Sequence, residues 1–266
     1  MLRDITIGQF FPGQSSIHRL DPRVKIVITF VFIVIIFFVK SFIGYAMILA
    51  YMSLAVALSG VPVRYMLKGL KPLLFIIALT FFINIFFTSG ERVIFKFWFL
   101  TLTREGLLQG IFMALRLIFL VAGTSLLTLT TSPIALTDGI EHLLQPLKVL
   151  RFPVHELAMM MTIALRFIPT LLEETDKIMK AQMARGADFE SGNLFQRARA
   201  LVPLLVPLFI SAFRRADELA MAMESRCYRG GENRTRMKTL KTAGRDYIAL
   251  AVSALLVLGI LLNSYL

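Results

Sequence analysis

The chain has 266 residues, 57% of them apolar and only 17% charged, with 23 phenylalanines and a formal net charge of +12. Soluble domains carry about 25% charged residues, which excludes an ordinary water-soluble enzyme or binding domain and points to a membrane protein. The cations lie beside apolar runs, where the positive-inside rule accounts for them, so nucleic acid is not expected as a partner.

The first segment, "HRLDPRVKI" at residues 18–26, leads into an apolar run at 26–39. Lys25 and Lys40 flank that run, and their long stems can snorkel to the headgroups. Asp21 and Arg23 are expected to fix the start of this helix. With no small-residue cleavage site and a second apolar run following at once, the segment reads as a retained span rather than a signal peptide. Uncharged runs at 41–63, 72–90, 117–137 and 247–266 each approach the roughly 20 residues that a helix needs to cross a bilayer. The expectation is an all-α polytopic protein with about five transmembrane helices. Arg19, Arg23 and Lys25 before the first span, and Arg64, Lys68 and Lys71 after the second, place those segments in the cytoplasm. The mixed-charge loop at 91–105 then falls outside, as does Leu266, with residues 131–246 inside.

Residues 132–246 are expected to form a coupling region of long and short amphipathic helices, between a four-span bundle at 1–131 and a last span at 247–266. The stretch 173–246 holds about half of the 29 Lys and Arg residues and more than half of the 17 acids, and it is rich in helix formers rather than in linker residues. "SPIALTDGIEHLLQPLKVL" reads as a short helix on the membrane surface, apolar at Ile140, Leu143, Leu144 and Leu147. "LAMMMTIALRFIPTLLEETDKIMKAQMAR" reads as one long helix kinked at Pro169, with Gly186 as its C′ residue. "LFQRARALVPLLVPLFISAFRRADELAMAMESR" reads as a second, bent at Pro203 and Pro207. Seven of the 13 methionines lie in these two helices, as gap fillers between them or as a surface able to repack against different partners.

Laid over each other at an offset of 41 residues, the two helices match at Asp176 and Asp217, Ala181 and Ala222, and Arg185 and Arg226. Both arginines follow a small residue, Ala184 or Ser225, and neither has an obvious acid partner three or four residues away along its helix, since Asp188 lies past Gly186, where the first helix is expected to end. An exposed arginine at a helix C-terminus can simply be solvated and favoured by the helix dipole. Two alike, each beside a small residue, also suit insertion into acidic clefts of a cytoplasmic partner, because the guanidinium pairs with carboxylates in a two-point fork.

These carriers resemble the transmembrane T component of energy-coupling factor transporters, the family that includes the membrane subunit of cobalt and nickel uptake systems. The resemblance rests on "HRLDPRVKI", "ALRFIPTLLEE" at 164–174, "ARG" at 184–186 and "SRCYRGG" at 225–231, in that order along the chain. It implies a non-catalytic subunit in the plasma membrane of a prokaryote. That subunit would pass ATP-driven motion from two cytoplasmic ATP-binding cassette ATPases to one or several S components that bind a vitamin or metal ion. Ala184, Arg185 and Gly186, with Ser225, Arg226 and Cys227, would dock the ATPases, Cys227 standing where glycine is common. Arg166, costly in lipid, is expected to face protein or the membrane interface and to tie the coupling region to the bundle, with Pro169 and Glu173 in the same motif.

No G-x-x-x-x-G-K-[ST] phosphate loop occurs, and His18, His142 and His155 lack the spacing of a helical metal pair, so neither cofactor nor metal is expected. The residues alone leave two other readings. One is a lipid-processing membrane enzyme centred on Glu173, Glu174 and His155; the other is a self-sufficient permease. The spans offer Asn84, Arg116, Asn263 and a few Ser and Thr, which is little for either.

Overall fold

The computed structural model describes residues 10–88, 93–97, 100–189, 193–230 and 240–265. They fall into two compact units, one of Gly8–His142 with Thr239–Leu266 and one containing Leu143–Lys238. The expected exit at Leu266, the motif residue Gly231 and parts of the expected outer loop lie outside the described residues.

The first unit is a helical bundle. Its helices are α1 (Pro22–Phe38), α2 (Phe42–Ser59), α3 (Val63–Leu70), α4 (Leu74–Phe87), α5 (Arg104–Thr130), α6 (Pro133–Leu144) and, at the end of the chain, α9 (Gly244–Tyr265). Four starts are capped by side chains: Asp21 accepts from the Arg23 amide at 2.9 Å, Ser41 from Gly44 at 3.2 Å, Thr103 from Gly106 at 3.1 Å and Ser132 from Ala135 at 3.3 Å. Ile36 and Ile48 are fully buried between α1 and α2, joined by Phe119 from α5 and Ile260 from α9. The outside is as apolar as the inside: Phe30, Phe75 and Phe87 are 66%, 74% and 79% exposed. Such a surface fits lipid and not water.

Among the described residues, five helical stretches are long and apolar enough to cross a membrane: Phe42–Ser59, Val63–Phe87, Arg104–Thr130, Val154–Ala184 and Gly244–Ser264. The chain is therefore a multi-pass membrane protein of the all-α class. The roster differs from the expected one, because α1 has only 17 residues and the long helix from Val154 takes its place by length and composition. Arg64, Lys68 and Lys71, expected in a loop, lie on α3 and the 3-10 turn after it, which turns Met66 into the core while the cations stay exposed. Between α4 and α5 a short antiparallel hairpin forms, β1 (Val93–Phe97) with β2 (Leu100–Thr103), where a loop was expected. Helix α5 starts thirteen residues before its expected uncharged run, since Arg116 is accommodated inside it, its guanidinium 5.3 Å from the Phe37 ring centre. Where α5 meets α4, a Cβ on Gly106 would stand 3.0 Å from the Asn84 carbonyl oxygen, so a small residue lets the two backbones touch.

One end of the bundle is tied by a buried polar cluster. Asp246, 2% exposed at the start of α9, accepts from the amides of Asp21 (2.8 Å) and Ala243 (2.7 Å). Lys25 was expected to snorkel; it is buried instead, donating to the carbonyls of Thr130 (2.9 Å) and His18 (3.2 Å) and to Thr131 Oγ1 (3.3 Å). Three oxygens replace its water, which is what burial of an ammonium requires. The start of α1, the end of α5 and the start of α9 thus share one end. At the far end of α9, the Asn263 amide donates to Ser41 Oγ at 2.6 Å.

Candidate functional site

The second unit is dominated by α7 (Val154–Ala184) and α8 (Leu194–Ser225), of 31 and 32 residues. Both run on through their internal prolines, Pro169 in α7 and Pro203 and Pro207 in α8. Glu174 on α7 accepts from Ser211 Oγ and from Arg215, the latter at 3.2 Å. Further along, Gln182 Nε2 reaches the Pro203 carbonyl at 3.5 Å. Residue numbers rise on α7 as they fall on α8, so the helices pack antiparallel and their C-termini lie at opposite ends of the pair.

Those C-termini are built alike. At the end of α7, the Ala187 amide donates to the Gln182 carbonyl and the Gly186 amide to Met183, both at 3.0 Å. At the end of α8, the Tyr228 amide donates to Met223 at 3.0 Å and the Cys227 amide to Glu224 at 2.8 Å. Each is the paired bond set of a Schellman cap, which needs a left-handed residue just past the helix. Gly186 supplies it with φ 88°, and Cys227 supplies it with φ 57° despite its side chain. Arg185 and Arg226 hold the same place, the last residue before the reversal. Both are exposed, and neither guanidinium pairs with an acid among the described residues.

The strain at Cys227 is measurable. A left-handed conformation costs a residue with a Cβ about 1 kcal/mol, whereas glycine adopts it freely. Cys227→Gly is therefore expected to slow hydrogen exchange of the Tyr228 and Cys227 amides by about fivefold, a gain of about 1 kcal/mol. Unchanged or faster exchange would show that the cysteine makes compensating contacts.

The other expected site residues are scattered. Asp21 is 5% exposed and caps α1, with Arg23 Nε 3.9 Å from its carboxylate. Arg166 is exposed on α7, as are Pro169 and Glu173. The acid that joins α7 to α8 is Glu174, one position on from Glu173 and about 100° around the helix. His18, in the first motif, is engaged through both ring nitrogens, with Ser15 Oγ at 2.7 Å and the Phe11 carbonyl at 2.9 Å. Of the clustered methionines, Met160, Met161, Met183 and Met221 are exposed. Phe209 and Phe213 on α8 are exposed as well, and this exposure suits a repacking surface better than gap filling. Among the described residues no group of three or more His, Cys, Asp or Glu side chains is placed to hold a metal.

The sequence matches the family model described as CbiQ, cobalt transport protein, over residues 13–237. Along its whole length the chain is 63% identical to the energy-coupling factor transporter transmembrane protein EcfT of Thermosediminibacter oceani, over 265 residues and 100% of both chains. Against the EcfT protein of Clostridium kluyveri the identity is 62% over 258 residues, 97% of this chain and 96% of that one. Against that of Bacillus subtilis it is 51% over 262 residues, 98% of each.

Proposed function

The chain belongs to the family of CbiQ cobalt transport proteins and energy-coupling factor T components, and on that premise we propose that it couples two ATP-binding cassette ATPases to an S component that binds the transported solute. The observation that carries this reading is the pair of identical caps. Two helix ends of one design, each offering an unpaired guanidinium beside a small residue, suit two like partners rather than one. Antiparallel packing sets the two arginines on the order of 40 Å apart at 1.5 Å per residue, a span that suits two separate subunits. A docked guanidinium would meet a carboxylate in a groove that excludes water, where a two-point pair is strongest. The chain itself catalyses nothing in this scheme: it holds no phosphate loop, and hydrolysis belongs to the ATPases. The exposed methionine and phenylalanine face of α7 and α8 would receive the S component, its soft side chains serving more than one.

The proposal requires α1 to cross the membrane, α7 and α8 to be cytoplasmic although α7 is long and apolar enough to cross it, and α9 to end outside. The buried cluster supports it, since the start of α1, which follows Arg19, the end of α5 and the start of α9 occupy one end of the bundle. Cysteine labelling tests this orientation after the native Cys227 is replaced by serine. An Asn193→Cys variant is expected to resist an impermeant maleimide added outside intact cells, and Ser264→Cys to react with it. Labelling at 193 from outside would overturn the proposed sidedness.

A further inference from the structure

We propose that Glu174, Ser211 and Arg215 form the pivot between α7 and α8, a positioning clamp that fixes how far apart the two cap arginines stand and carries motion from one to the other. The inference rests on the docking role assigned to Arg185 and Arg226. Its basis is a register. Glu174 and Arg215 are themselves 41 residues apart, the same offset that relates Arg185 to Arg226 and Gly186 to Cys227. Each clamp residue therefore stands eleven residues before its own helix's arginine. Eleven residues are close to three full turns, so clamp and arginine lie on nearly one stripe of each helix, about 16 Å apart along its axis.

Because the helices are antiparallel, the two arms extend from the clamp in opposite directions with equal length. A rotation about the clamp displaces both arginines by equal amounts. The chemistry suits a pivot. One half-buried carboxylate takes a guanidinium and a hydroxyl together, and such charge-assisted bonds fix position along the helix. Met179 on α7 and Met223 on α8 are half-buried, and flexible side chains of this kind permit tilt without fixing register. Sliding is resisted while rotation is allowed.

The test uses the whole chain in three forms, wild type, Glu174→Ala, and the swap Glu174→Arg with Arg215→Glu. Spin labels at Ala181→Cys and Ala222→Cys, in a Cys227→Ser background, report the distance between the two arms. A single narrow distance is expected in the wild type, a broadened distribution in Glu174→Ala, and a renewed narrow distance in the swap. In the assembled transporter, Glu174→Ala is expected to keep its ATPases and its ATP hydrolysis within about twofold while uptake per ATP falls on the order of tenfold, the scale of a typical coupling between sites. The swap should recover at least part of that uptake. An unbroadened distance in Glu174→Ala, or unchanged uptake per ATP, would overturn the pivot. Loss of the ATPases from Glu174→Ala with no recovery in the swap would also overturn it, since the pair would then serve docking or folding. Failure of the docking reading is seen separately, as a wild-type chain that carries no ATPase while the spin-label result still decides the clamp.

Discussion

Replacing Arg185 and Arg226 together with alanine is expected to strip the ATPases from the chain while its amount in the membrane stays the same. Each guanidinium sits at a Schellman cap whose backbone bonds do not involve the side chain, so truncation leaves the helix end intact. What is lost is the partner's pairing. Removing one member of a desolvated charge pair costs about 2–5 kcal/mol, much of it from the acid left behind. At 1.4 kcal/mol per factor of ten, a single variant loses at least about 30-fold in affinity, and the double variant has no measurable docking. Lysine should restore only part of it, because an ammonium cannot offer two parallel donors in a plane. Pull-down of the ATPases with the chain, beside an immunoblot of the membrane fraction, reads both quantities. Retention of ATPases and uptake in the double variant would return the arginines to solvated helix ends.

Asp246→Ala is expected to damage the bundle more than any substitution on the exposed helices. The carboxylate accepts from two backbone amides, one of them 225 residues away in sequence, and its charge acts on the buried Lys25. Truncation leaves both amides without an acceptor and an ammonium with less compensation, at about 3–5 kcal/mol in total. For a chain of this size the melting temperature should fall on the order of 10 °C. Asp246→Asn should fall less, since the amide oxygen replaces one acceptor and not the charge. The melting of the purified chain in detergent reads this directly. A shift under about 2 °C for alanine, about 1 kcal/mol or less, would show that water satisfies the cluster.

Much of this architecture was legible in the sequence because its signals are local. Uncharged runs mark the spans after α1, and Gly186 marks the end of α7 through its freedom at positive φ. The match between the two arginines is a matter of spacing along one chain, and the caps turn out equivalent bond for bond. Illegible features depend on partners distant in sequence. Nothing about Lys25 separates a snorkelling lysine from one held by the Thr130 carbonyl. Cys227 gives no cap signal, since cysteine is not a residue that favours positive φ. Glu173 and Glu174 are adjacent, and which of them meets α8 depends on a rotation that only packing with Ser211 and Arg215 decides. Arg116 made the expected fourth span start too late, because a guanidinium over Phe37 escapes the cost that a bare charge would bear.

In the proposed function this chain is the membrane hub on which two ATPases and an S component assemble. Gentle solubilisation from the native membrane, followed by native mass spectrometry of whatever the tagged chain carries, tests it most directly. The expected particle contains one copy of the 30.0 kDa chain, two ATPase subunits and one further small membrane protein, with both ATPases absent from the Arg185→Ala, Arg226→Ala variant. A wild-type chain that emerges alone, or with partners that include no ATPase, would contradict it.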